Sequence, residues 1–94
     1  MNNNSNTTIE KIFIIFVING KFVRWEIFSP KATLRDIYTI LKNKYRIHYC
    51  TLQLDDVYVS IHNRFKLYDL CETDTATLYI RTDDKNYTLP KSIV

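Results

Sequence analysis

The side chains most able to do chemistry in this sequence are two histidines and two cysteines, His48, Cys50, His62 and Cys71. All four are metal-ligand types. His48 and Cys50 are spaced so that both would fall on one face of an extended strand. Structural zinc sites, however, draw on Cys-x-x-Cys pairs or closely spaced histidines, and neither occurs here. No metal site is expected. Cys71 reads as a small buried residue and His62 as a loop residue. Ser60, His62 and Asp69 supply the residue types of a nucleophilic triad, but no nucleophile elbow or oxyanion loop accompanies them. The lone glycine, Gly20, is a stronger constraint. Loops that cradle phosphate need several glycines to bring backbone N–H groups close to the anion. Neither a P-loop nor a dinucleotide fingerprint can be built, so no cofactor is expected and no catalytic residue is assigned. The chemistry-bearing residues point away from an enzyme.

The elements that hold these residues can be read from periodicity. Residues 1–8 are polar after the initiator and read as a disordered arm. The chain has 94 residues, 46% hydrophobic and 14% aromatic, which is enough apolar material for one small core. Glu10 to Ile18 is a β-branched and aromatic run. Lys21 to Phe28 is a second, and Asn19-Gly20 between them marks a hairpin whose turn needs positive φ. Ser29-Pro30 closes that strand. Thr33 then caps a helix, with Asp36 favouring the positive helix terminus. Leu34, Ile37, Leu41 and Tyr45 recur at helical spacing, while Arg35, Lys42 and Lys44 fall on the other side. Short strands are expected at Thr51–Leu54 and Val57–Val59 around an Asp55-Asp56 turn. Phe65, Leu67 and Leu70 suggest a packed turn, and Thr77 to Thr82 alternates as a last strand. The sequence therefore predicts an α+β domain over residues 9–82, a mixed sheet of four to five strands with one amphipathic helix packed on one face. Residues 83–94 form a tail that carries apolar side chains able to pack back on the sheet.

Several of these features together resemble the ubiquitin-like, or β-grasp, family. Gly20-Lys21 stands where family members turn their first hairpin. A proline-containing turn leads to a helix opening with Thr33-Leu34, and Ile37 and Leu41 follow at the next buried helix positions. Leu54 sits near a buried third-strand position. Leu67 to Leu70 is similar to a Leu-x-x-aromatic turn with leucine in the aromatic place, and Thr77-Leu78-Tyr79-Ile80 resembles the final strand. The likeness spans roughly Ile12 to Thr82. It implies a β-grasp fold and work done by protein binding. Conjugating members end in two glycines, whereas here the last strand runs into Asp83-Asp84-Lys85-Asn86-Tyr87 and Ser92-Ile93-Val94. The resemblance therefore implies a non-conjugating member. The positions of the family's small apolar recognition patch appear as Asp55 and Arg81, charges that a reader of an apolar surface would have to desolvate unpaired.

The interaction surface follows from strand alternation. If Val23, Trp25 and Ile27 face the helix, with Phe13, Ile15 and Val17 beside them, then Ile12, Ile14, Phe16 and Ile18 with Phe22 and Phe28 lie on the open face. Ile14, Phe16, Phe22, Phe28 and Tyr79 are then the expected protein-interaction residues, since large exposed apolar patches mark interaction sites. The competing expectation is that the tail covers this band through Leu89, Ile93 or Val94.

The net charge of +3 is mild and its carriers are dispersed, so it reads mainly as solubility. Arg35, Lys42, Lys44 and Arg46 form a secondary basic surface able to meet acidic partners or phosphate. The partner expected is a protein of unknown identity or a second copy of the chain; nucleic acid is not favoured. Alternatives are an elongin-B-like scaffold in a ubiquitin-ligase complex, implied by the resemblance, and a nucleic-acid or phospholipid binder using the helix cations. A Ras-binding-type module would pair a basic second-strand edge with a partner's strand, and only Lys21 and Arg24 serve that edge. No secretion signal is read, and the longest apolar run is far shorter than the ~20 residues of a membrane span. An intracellular location, cytoplasm or nucleus, is the expectation.

Overall fold

The computed structural model describes residues 9–89; the expected arm at 1–8 and the last five residues of the tail lie outside them. The elements follow the order β1 (Ile12–Ile18), β2 (Lys21–Phe28), α1 (Leu34–Lys44), β3 (Thr51–Leu54), β4 (Val57–Val59), α2 (Leu67–Leu70) and β5 (Thr75–Arg81). The strands form one mixed sheet in the order β2-β1-β5-β3-β4. β1 is antiparallel to β2 and parallel to β5, and β3 is antiparallel to both β4 and β5. One main helix covers one face. This is a β-grasp type of α+β fold, and it matches the fold class read from the sequence.

The hairpin joining β1 and β2 is set by its two turn residues. Asn19 and Gly20 take φ of 49° and 84°, the left-handed region that asparagine and glycine tolerate best. Asn19 also ties the turn to the far end of β5. Its side-chain amide donates to the Thr82 carbonyl at 3.0 Å and its Oδ1 accepts the Thr82 N–H at 2.9 Å. Thr82 is itself buried; its hydroxyl donates to the Tyr49 carbonyl at 2.6 Å and accepts the Asp84 N–H at 3.0 Å. One threonine thus joins the hairpin tip, the entry to β3 and the start of the tail.

The helix begins where the sequence places it. The Asp36 carboxylate accepts the Thr33 N–H at 2.9 Å, closing the first turn and placing negative charge at the positive helix end. Leu34, Ile37 and Leu41, with Tyr45 just beyond, are buried together with Ile12, Ile14, Phe16 and Ile18 of β1, Leu52 and Leu54 of β3, and Ala76, Leu78 and Ile80 of β5. The short helix α2 is held by backbone bonds to the Pro30–Ala32 loop: the Leu67 N–H donates to the Ala32 carbonyl at 2.8 Å and the Tyr68 N–H to that of Pro30 at 3.1 Å. Leu67 is buried in that turn, but Phe65, expected to pack with it, is exposed.

The faces of β1, and of β2 from Trp25 to Phe28, are the reverse of the expected assignment. Ile14 and Phe16 are fully inaccessible and Phe28 is 6% exposed; all three belong to the core beneath the helix. Phe16 lies between the Phe28 ring at 6.4 Å and the Tyr45 ring at 5.5 Å. Trp25 and Ile27, expected to face the helix, lie on the open side, 58% and 60% exposed. Two causes explain the inversion. A bulge shifts the β1–β2 register between Phe16 and Val17, so Phe22 pairs with Val17, Arg24 with Phe16 and Trp25 with Ile15. Val23, the extra residue, packs against the core while Phe22 turns to the open face. The helix side of β2 also accepts polar residues, because Glu26 is satisfied there. Its Oε2 takes the Tyr45 hydroxyl at 2.8 Å and the Lys44 ammonium at 2.8 Å, with the Arg24 guanidinium 3.8 Å away.

Candidate functional site

The open face of the sheet can be followed strand by strand from the register. Ile27 of β2 pairs with Phe13 of β1, Trp25 with Ile15, and Phe22 with Val17. Val17 pairs in turn with Tyr79 of β5, Tyr79 with Gln53 of β3, and Gln53 with Tyr58 of β4. The β1–β2 half of this face is apolar throughout. Phe13, Ile15 and Val17 are half-buried beneath their neighbours, and the Phe13 and Trp25 rings meet at 5.6 Å with a 50° tilt. Phe22, Trp25, Ile27 and Tyr79 stand over them, between 46% and 65% exposed. The β5–β3 half is polar, with Thr75, Thr77, Gln53 and Thr51. Arg81 and Asp55 sit toward its rim. Asp55 is a structural residue as well as a surface charge: at φ 52° it accepts the Thr77 N–H at 3.0 Å and donates its own N–H to the Thr77 carbonyl at 2.8 Å.

Of the five expected interaction residues, Phe22 and Tyr79 lie on this open face; Ile14, Phe16 and Phe28 do not, for the reasons given above. Phe13, Ile15, Trp25 and Ile27 replace them. The described part of the tail runs elsewhere. The Thr88 N–H donates to the Tyr45 carbonyl at 2.7 Å, at the C-terminal end of α1, and Tyr87 packs against the core. Leu89 is 53% exposed. Ile93 and Val94 fall outside the described residues.

Two of the four basic residues expected to form a secondary surface already have neighbours. Lys44 is bound to Glu26, and the Lys42 ammonium stands 5.8 Å from the centre of the Tyr38 ring. Arg46, at φ 62°, lies beyond the helix end, and Arg35 sits in the first turn.

The residues with reactive side chains are divided between separate places. His48, Cys50 and His62 line an open cleft with Tyr38, Tyr49 and Tyr58, of about 510 Å³. Cys71 belongs to the buried cluster. Burial pushes both thiols above the ordinary cysteine range, and for Cys71 the nearby Asp55 carboxylate adds to the effect. Among the described residues, no three His, Cys, Asp or Glu side chains converge as metal ligands. The Ser60 hydroxyl accepts the His62 backbone N–H at 3.1 Å, a local turn contact. Tyr45 is held protonated far above the usual tyrosine range, by burial first and by the Glu26 carboxylate second.

No helix among the described residues is long and apolar enough to cross a membrane. No protein-family model matches the chain, and a search of curated proteins finds no match.

Proposed function

We propose that this chain is a non-catalytic binding module of ubiquitin-like type, which docks a protein surface on the open face of its sheet around Trp25. The observation that carries the reading is the uncharged band of Phe13, Ile15, Val17, Phe22, Trp25, Ile27 and Tyr79, which no described element covers. Leaving this much contiguous apolar surface in water is unfavourable, and soluble proteins retain such patches mainly where something binds. Tryptophan and tyrosine suit the role because they bring large rigid area at low entropic cost, and they dominate the energetics of known interfaces. The polar half of the face, from Thr75 to Gln53, would supply the hydrogen-bonding rim. The pairing of Lys44 with Glu26 and the net charge of only +3 favour this reading over an electrostatic binder of nucleic acid or lipid.

The test is capture by the immobilised full chain, compared with a Trp25→Ser/Ile27→Ser variant of matched helicity. Specific binding should persist at moderate salt and disappear in the variant. A captured set identical for both proteins would refute the proposal, as would binding that collapses with salt and is competed by RNA.

A further inference from the structure

We infer that the occupant of the open face is a second copy of this chain, packed sheet against sheet about a two-fold axis. The inference rests on the reading above and names its partner. Three observations carry it. The first is charge. A two-fold interface lays a patch against its own copy, so any charge near its centre meets itself. The band from Ile27 to Tyr79 carries none; Arg81 follows Tyr79 at the end of β5, where it pairs with Thr51, and Asp55 bonds to Thr77 on the polar half. Such a surface is complementary to itself without a partner of opposite charge.

The second is area. With Phe22 65%, Trp25 58%, Ile27 60% and Tyr79 46% exposed, and large side chains offering about 150–250 Å² each, these four leave roughly 500 Å² of surface. The half-buried row of Phe13, Ile15 and Val17 raises this to roughly 600 Å² per copy, so two copies would bury about 1,200 Å², the lower end of the range for specific protein–protein contacts. That area fits a reversible dimer.

The third is the choice of face over edge. β2 is an edge of the sheet and could in principle pair with another strand. Its register bulge and the cations Lys21 and Arg24 blunt that edge in the way proteins guard against strand addition. Pairing along the edge would also leave Trp25 and Ile27 in water. Face-to-face packing covers them, giving two sheets about 10 Å apart with their strands roughly 30° from parallel, and one helix layer on each outer side.

Trp25 is the chain's sole tryptophan, so its fluorescence reports directly on the face. The experiment is sedimentation equilibrium of the full chain over a wide concentration range, with Trp25 emission and acrylamide quenching read on the same samples. Dimerisation in the micromolar range, accompanied by a blue shift and reduced quenching, is the expected result. Ile27→Glu retains the probe and places like charges across the axis. It should weaken the dimer at least ~100-fold while leaving the circular dichroism unchanged. A dimer indifferent to Ile27→Glu would overturn the inference. A monomer with water-exposed Trp25 at every concentration would overturn the second copy as occupant and leave the face to a different protein. A monomer with shielded Trp25 would overturn both this inference and the proposed function, because the chain would then cover its own face.

Discussion

Replacing Phe16 and Phe22 by alanine, one at a time, tests the placement of the two sheet faces with a single residue type. Phe16 is fully inaccessible and lies between the Phe28 and Tyr45 rings. Truncating it loses the transfer free energy of a ring and leaves a cavity that the helix above cannot fully close, a cost of about 3–5 kcal/mol. Phe22 is 65% exposed, so only about a third of its area leaves water on folding and Phe22→Ala should cost about 1 kcal/mol. Domains of this size are stable by roughly 5–15 kcal/mol, so the first change removes a large share of the total and the second a small one. Each kcal/mol moves the melting temperature of such a domain by about 4–8 °C. Phe16→Ala should therefore lower Tm by more than ~12 °C, and Phe22→Ala by less than ~8 °C. Urea unfolding followed by far-ultraviolet circular dichroism gives the free energies directly, provided the slope against urea is unchanged between variants. A larger loss for Phe22 than for Phe16, or equal losses, would refute the face assignment and the site built on it.

Three further outcomes are expected. Asn19→Ala should destabilise by about 2–3 kcal/mol in the same urea assay, since it loses two bonds to Thr82 and forces alanine to a positive φ; Gly20→Ala meets no atom within 4 Å and should cost only about 1–2 kcal/mol of backbone strain. Tyr45→Phe should cost about 2 kcal/mol at neutral pH through the lost bond to Glu26. The folded protein holds the Tyr45 proton above the ordinary value of 10.0, so its contribution is complete below pH 10 and is lost as the pH rises beyond it. Unfolding free energies measured from pH 9 upward should fall more steeply for the native chain than for Tyr45→Phe. Both thiols should react with a disulfide reagent at pH 8 more slowly than a free cysteine, and buried Cys71 more slowly than Cys50; a fast-reacting Cys71 would contradict its place in the core.

Most of the architecture was legible along the chain because it depends on local chemistry. Asn19-Gly20 admits the positive φ of a tight hairpin, Thr33 and Asp36 close the first helical turn, and Leu34, Ile37 and Leu41 repeat at the period of one buried stripe. The β5 alternation of Ala76, Leu78 and Ile80 against Thr77, Tyr79 and Arg81 likewise assigns its faces without help from other elements. Its bounds were misplaced at both ends: Thr75 and Ala76 join the strand through pairing with Phe13 and Ile14, a contact distant in sequence, and Thr82 lies beyond it, bonded to Asn19 and Tyr49.

The candidate site was legible in kind but not in place. The run from Ile12 to Ile18 is apolar at every position, so period-2 reasoning shows that both faces of β1 are apolar without saying which one the helix covers. β2 offered a misleading cue: Arg24 and Glu26 alternate with Val23, Trp25 and Ile27, and charge usually marks the wet side. The structure instead turns Glu26 under the end of α1, where the Tyr45 hydroxyl and the Lys44 ammonium compensate its burial. Those partners come from a different element, so no local pattern could reveal them. The sequence by itself determined that two apolar faces exist on β1 and that one of them must meet the helix. Tertiary structure decided which face remains open, because the bulge at Val23 and the Glu26 cluster lower the cost of covering one side of β2 while leaving Trp25 and Ile27 on the other.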